Sequence, residues 1–320
     1  MKTPFTIVPS LSAIAIAYTQ GNLIADKVLP RVPVYTETFN HLRYSLGDAF
    51  AAPDTRVGRK GAPNQITWGS DTVPASVEDH GLDTPVPNAD VNAYNLAKQA
   101  GTGYVAQSDP LSRATKLVMQ AVQNRREKRA ADLVFNKNSY GVNNRETLVS
   151  GFWDDYANSD PLVQIDEYFD GMVMRPGVGV LGRRVASKLQ RHPKVCKAVF
   201  GNNTDAGKVP LQALAEQLGL EELLVGDGWI NIAAPGQPVN MVRVWGNHAA
   251  FLVRNKEADT QAGVTFGYTA QFGDQVAGTI EDPDIGLRGG QRVRAGESVK
   301  ELVTANDLGF FVENAINPAG

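Results

Sequence analysis

Gly177, Gly179 and Gly182 stand in the order G-x-G-x-x-G, a spacing that lets a strand-to-helix turn offer backbone N–H groups to a pyrophosphate. The chemistry this would serve is hydride transfer with a bound dinucleotide. Pro176 precedes the first glycine, and no second parallel βαβ half is evident. About twenty residues on, where an acidic side chain should meet a ribose hydroxyl, stand Phe200 and Gly201. The segment is therefore read as a glycine-permitted turn between strand and helix, with a dinucleotide-dependent enzyme as the alternative.

Other reactive residues are scattered. Cys196 is the single cysteine and sits in apolar company, so it reads as packing in a buried strand or helix-to-strand junction. His41, His80, His192 and His248 lack metal-ligand spacing and read as surface or packing residues. There is no G-x-S-x-G elbow and no Walker lysine. Asp154-Asp155 and Glu221-Glu222 are sequence neighbours whose side chains diverge, and Arg288-Gly289-Gly290 is one isolated turn. The expectation is a protein with no catalytic residue, cofactor or metal: not an enzyme.

The 320 residues can bury a sizeable core. A hydrophobic share of 42% and a charged share of 20% exclude wholesale disorder. No apolar run approaches the ~20 residues that span a bilayer. The formal charge of −3 lacks the basic excess of a dedicated nucleic-acid binder.

Turn formers from Gly58 to Pro87 mark residues 43–100 as loop-like. Residues 56–59 and 65–68 flank a five-residue loop and predict a hairpin whose Ile66 and Trp68 share a face. An isolated two-stranded hairpin is marginal in water, so that face needs another surface, its own domain or a neighbour's. From 108 to 137, Leu111, Ala114, Leu117, Val118, Ala121 and Val122, then Ala130, Leu133 and Val134, predict a helix. Ser108 or Asp109 can cap it, Pro110 suits its first position, and its length would be roughly 45 Å. Its charged stretch, 125–129, is read as a solvated face, with contact to DNA or an acidic neighbour as the alternative. Beyond 160 a mixed region is predicted. Helices are expected near 181–191 and 208–219, and strands near 172–175, 196–200 and 229–233. A strand pair, 241–245 with 249–253, closes it, and 264–316 is strand-rich.

The N-terminal stretch is apolar but broken. Ala13-Ile14-Ala15-Ile16-Ala17-Tyr18 alternates, 19–22 is polar, and Ile24, Val28, Val32 and Val34 follow among Pro30 and Pro33, which disfavour helix. Lys2 and the small residues at 13, 15 and 17 suggest a signal peptide, but Pro9 and Ser10 interrupt the run, so an arm buried against other surfaces is preferred.

This stretch, with its Ala-rich turn ending in Tyr18 and its run Ile24-Ala25-Asp26-Lys27-Val28-Leu29-Pro30-Arg31-Val32-Pro33-Val34, closely resembles the N-terminal arm of tailed-bacteriophage major capsid proteins. The resemblance implies an α+β fold of the Hong Kong 97 phage type. Its parts would be an N-terminal arm (1–42), an extended loop hairpin with flanking strands (43–100), a peripheral domain (101–165) with spine helix 108–137, an axial domain (166–258) and peripheral return strands (259–320). It implies a structural subunit that self-assembles into hexamers and pentamers of an icosahedral head enclosing double-stranded DNA, within a virion assembled in the bacterial cytoplasm. A separate scaffolding protein, a portal protein at one vertex and the packaged DNA, by non-specific contact, would be its partners, and a decoration protein is left open. An encapsulin-like nanocompartment shell is the alternative of the same fold. Candidate contacts between subunits are Ile14, Ile16, Tyr18, Ile24, Val28, Pro30, Val57, Lys60, Ile66 and Trp68, with the arm expected to serve neighbours rather than its own core. Trp68→Ala should weaken docking between subunits and leave the isolated subunit's melting nearly unchanged. A loss of about 3–5 kcal/mol in the isolated subunit would place Trp68 in an internal core instead.

Overall fold

The computed structural model describes residues 6–17, 23–44, 52, 54–59, 61–65, 70–100, 109–201, 206–234, 236–260 and 263–318. Along the chain, β1 (Thr6–Ile7), α1 (Pro9–Ala17), α2 (Ala25–Val28) and β2 (Arg31–Val34) form the N-terminal part. Next come β3 (Thr38–Tyr44), β4 (Ser70–Ser76), β5 (Glu78–Pro87), α3 (Asn88–Gln99) and the long helix α4 (Pro110–Val134). A second group comprises β6 (Arg145–Thr147), α5 (Pro161–Asp170), β7 (Val178–Gly182), α6 (Arg183–Leu189), α7 (Pro193–Phe200), α8 (Leu211–Gln217), β8 (Glu222–Gly226), β9 (Trp229–Asn231), β10 (Met241–Arg243) and β11 (Ala249–Leu252). The long strands β12 (Gly267–Asp282) and β13 (Gly290–Val303), then β14 (Gly309–Glu313), complete the chain.

Two five-stranded sheets organise these elements. In the first, β12 and β13 form an antiparallel hairpin flanked by β5 on one side, with β1 and the parallel β2 both on β12. Helix α4 lies across this sheet. Asp109 caps it by accepting from the backbone N–H groups of Leu111 and Ser112, and Pro110 opens it, as the sequence predicts. Its 25 residues run about 37 Å. Leu11 and Ala15 of α1 pack with Val118, Met119 and Val122 of α4 and with Ala277 and Ala295 of the sheet.

The second sheet has the order β6-β14-β11-β7-β8. Period-two alternation divides its side chains between two layers. Leu181, Ala249, Phe251, Phe310 and Val312 meet helices α5 to α8. Val178, Val180, Leu224, Ala250, Leu252 and Phe311 face the C-terminal end of α4 and the segment 24–29. That end of α4 thus joins the two sheets.

Several expectations are corrected here. The arm is not left for neighbours: Ile24, Val28 and Leu29 are buried against the end of α4 and the second sheet, and Val32 and Val34 are buried because β2 completes the first sheet beside β12. Of the run 13–18 read as alternating, residues 13–17 are helical, the second half of α1, and Tyr18 lies outside the described residues. No strand forms over 54–59 or 61–65, where Gly58, Gly61 and Pro63 interrupt, and 66–68 lie outside the described residues; among the described residues the ladder joins β3 to β4, from Thr38 opposite Ser76 to Tyr44 opposite Ser70. Residues 88–99 are helix rather than loop. Residues 196–200 are helix rather than strand: Pro193 takes the first position, the His192 ring accepts from the Lys194 N–H, and Val195, Cys196 and Val199 share its inner face. The stretch 172–175 is a turn, and the strand starts at Val178. Strands β10 and β11 do not pair together; β10 takes β9, and β11 takes β7 and β14. The strand-rich stretch resolves mainly into two long strands, 267–282 and 290–303, whose register shifts between Phe272 and Val276.

The glycine fingerprint is strand, not turn. Residues 178–182 are paired on both sides, and the N–H groups of Gly177 and Gly182 are given to the carbonyls of Leu252 and His248. None of the three glycines has a positive φ, so close approach explains them. A Cβ on Gly182 would strike the backbone oxygens of Trp245 and Gly246, whereas one on Gly179 would strike the flexible end of Leu223. Gly182→Ala should therefore cost about 1–3 kcal/mol and more than Gly179→Ala, measured by thermal unfolding of the two variants. Equal melting would refute this account of Gly182.

Candidate functional site

The candidate site is not a cleft. It is a set of surfaces and the junction that holds them, and the junction is built on two residues of the charged stretch in α4. The solvated face expected at 125–129 is corrected: Arg126 and Glu127 are both buried. Both Glu127 oxygens accept from the Ile24 N–H, at 2.9 and 3.1 Å, and Oε2 also accepts from the Ala25 N–H at 2.8 Å. These are free donors at the start of α2, where no carbonyl lies one turn back. Oε1 also accepts from the Trp245 indole N–H at 2.6 Å. One carboxylate thus ties the arm, the long helix and the second sheet together. Burial pushes its pKa up, and the bonds from Ile24, Trp245 and Ala25, with Arg126 nearby, offset part of that rise.

Arg126 reaches the other way. It pairs with Asp26 and donates to Thr269 Oγ1 at 3.2 Å, with Glu297 and Glu301 within 4.0 Å of its Nε. Arg31 bridges Asp26 at 2.7 Å and Glu297 at 2.8 Å, and Arg129 holds Glu301 at 3.0 Å. Burial raises the Asp26 pKa, but the Arg126 and Arg31 guanidinium groups together outweigh it and hold the carboxyl below its usual range. The charges of α2, β2, α4 and β13 form one network.

The expected contact residues fall into distinct places. Ile24 and Val28 are internal, and the Pro30 carbonyl accepts from the Thr269 N–H at 2.8 Å. Ile14 packs partly against α4, while Ile16 (53% exposed) and Val57 (47%) reach the surface. Tyr18, Lys60, Ile66 and Trp68 lie outside the described residues. The four histidines are dispersed, and burial pushes each below the usual imidazole value. Among the described residues no group of His, Cys, Asp and Glu could hold a metal, and no helix is long and apolar enough to cross a membrane.

One surface escaped the sequence reading. Strands β9 and β10 form a two-stranded sheet of their own and expose Trp229, Ile232, Val239 and Met241, with the Arg243 guanidinium 4.3 Å from the Trp229 ring. The signal available was the uncharged run 229–242, broken by Pro235, Gly236 and Pro238.

No family model matches the sequence. Over 317 residues it is 51% identical to the major capsid protein of Pseudomonas phage JBD67, covering 98% of this chain and 99% of that one. The chain belongs to the phage major capsid proteins. Among solved structures, a phage-related protein from Bordetella bronchiseptica RB50 superposes with a TM-score of 0.73 at 22% identity, covering 99% of this chain and 100% of that one. The capsid of Cyanophage P-SCSP1u gives 0.54 at 11% identity, over 93% and 89% of the two chains. These likenesses show the fold, that of the Hong Kong 97-type capsid proteins. The major capsid protein is a structural component of the virion, and the encapsulin-like alternative has less support, because the high identity is to a phage protein.

Glu127→Gln in this capsid protein puts an amide NH2 among three donors, and should cost about 1–3 kcal/mol at neutral pH in denaturant unfolding. The pH dependence follows from the raised pKa. The folded carboxyl holds its proton more tightly than the unfolded one, whose value is near 4.5. Stability attributable to Glu127 therefore falls as pH rises from 4.5 through the folded value. The Gln variant should lack that fall, and an unchanged stability and pH profile would show the junction to be unimportant.

Proposed function

We propose that the capsid protein self-assembles into hexamers and pentamers that close an icosahedral head around double-stranded DNA. Assembly takes place in the bacterial cytoplasm with a separate scaffolding protein and a portal protein at one vertex. The observation that carries the reading is the 51% identity to a phage major capsid protein over nearly the whole of both chains. The division into arm (1–42), loop, peripheral and axial parts belongs to the same proposal, with Ile16 of the arm at the surface and the segment 23–34 serving its own subunit.

The physical support is the distribution of unpartnered surface. The β3–β4 ladder forms a separate two-stranded sheet, and every described residue from 54 to 65 beyond it is exposed. The β9–β10 hairpin exposes its apolar residues in the same way. Such hairpins gain little by themselves in water and are stabilised by a second surface. Each contact between copies would bury on the order of 800 Å² per partner. Several engaged at once raise the effective concentration for every later one, so weak contacts that can be corrected one at a time sum to a durable shell. The protein is then structural rather than catalytic, since the N–H groups of its glycine fingerprint are already spent in a sheet.

Replacing residues 54–65 by a short glycine-serine turn should leave the subunit's melting temperature within a few degrees of wild type and abolish shells in negative-stain microscopy. The same holds for Trp229→Ser with Met241→Ser, at reduced rather than abolished yield. Normal shells at normal yield from the loop variant would refute the role given to the loop, and absence of shells from the wild-type protein with its scaffold would refute the assembly reading.

A further inference from the structure

We infer that the exposed face of α4 is the surface along which duplex DNA lies on the capsid protein, an inference resting on the proposed DNA-enclosing shell. The inner side of α4 is committed to the first sheet, the arm and the junction through Ala114, Val118, Met119, Val122, Glu127 and Ala130. Its outer side carries Arg113, Lys116 and Arg125, all exposed, and the half-buried Lys128. No acidic residue occurs between Pro110 and Arg126, and Glu127 is turned inward. The first outward acid is Asp132, which is paired with Lys128. Arg113, Lys116 and Arg125 make no ion pair among the described residues. At roughly 100° per residue the four cations share about half the helix circumference, and Arg113 to Lys128 spans roughly 22 Å.

In a chain of net charge −3 this is a local cationic row on a straight rod. The other basic run, on α6 and α7, is partly neutralised: Arg183 meets Asp227 at 3.6 Å and Lys194 meets Asp160 at 3.1 Å. The row on α4 has a single exposed large apolar side chain, Leu117, and no open strand edge to seat a peptide. Charge alone recognises the partner. Duplex DNA presents a negative charge about every 1.7 Å of its axis, so any rotational register brings phosphates to the cations without reading sequence. The inference requires this face to look inward in the closed shell, where many copies would add their weak grips.

The test titrates the full-length protein with a labelled mixed-sequence duplex between about 50 and 200 mM salt, beside the variant R113Q/K116Q/R125Q, whose glutamines keep the helix propensity. With the three unpaired cations each neutralising one phosphate, wild-type affinity should fall about 40-fold over that range, and the variant, which keeps only the Asp132-paired Lys128, should show little salt dependence. Equal affinity and equal salt dependence in the two proteins would overturn the inference, as would wild-type binding to polyglutamate but not to the duplex. Particles of both proteins are counted separately by microscopy. Failure of the wild type to form shells defeats the assembly reading, while the titration still decides the face.

Discussion

A single carboxylate, that of Glu127, has to be where it is for the rest of the molecule to hold its arrangement. It sits near the C-terminal end of a 25-residue helix, fully buried, and every group that meets its oxygens is a donor. Removing a charge from water is costly, and what makes this one tolerable is that its acceptor sites are filled from two separate parts of the chain. The start of α2 supplies two backbone donors, and Trp245, at the edge of the second sheet, supplies the third. The apolar layer of Ile24, Val28, Ala130, Val134 and Trp245 brings both against α4, and the carboxylate fixes how they lie there. Arg126, its sequence neighbour, extends the same logic toward the first sheet through Asp26, Arg31 and Glu297.

The position of Trp245 depends in turn on small residues. Gly182 and Gly226 are register partners at the ends of β7 and β8, and a methyl group on either would run into Trp245, into its carbonyl from Gly182 or into its ring from Gly226. The strand ends are left bare so that the indole can lie across them and reach Glu127. Within the G-x-G-x-x-G spacing, Gly182 serves packing of backbone against backbone, while Gly177 and Gly179 face the side chains of Glu221 and Leu223.

Much of this was legible in the sequence, and unevenly so. The long helix was visible because its apolar spacing, Asp109 and Pro110 agreed, and the resemblance of 24–34 to a capsid arm gave the family. The fate of the arm was not visible, since Ile24 and Val28 look alike whether they bury against their own subunit or a neighbour. What decides it is a pairing of 31–34 with 269–272, too distant for any local pattern to report. Glu127 was hidden for a related reason. A charged run at helical spacing looks solvated, and only tertiary contacts distinguish the two members that turn inward. Helix α7 was misjudged because Val195, Cys196 and Val199 fit an apolar strand as well as a helix face, a known ambiguity of short apolar runs.

The parallel seat of β2 on β12 has a consequence for the birth of the protein. Residues 31–34 leave the ribosome early, but the strand that receives them is some 238 residues further on, as the partners Arg31 and Thr269 show. At cellular rates of synthesis that separation lasts on the order of 10–50 s. Throughout it, the strand from Arg31 to Val34 lacks its partner, although Ile24 and Val28 can already meet α4, and closing so long a loop is among the slower steps a chain can take. Nascent chains are then sticky for most of their synthesis, and crowding on a polysome would bring those segments together. Production of this subunit in quantity is thus tied to whatever host machinery shields unfinished chains.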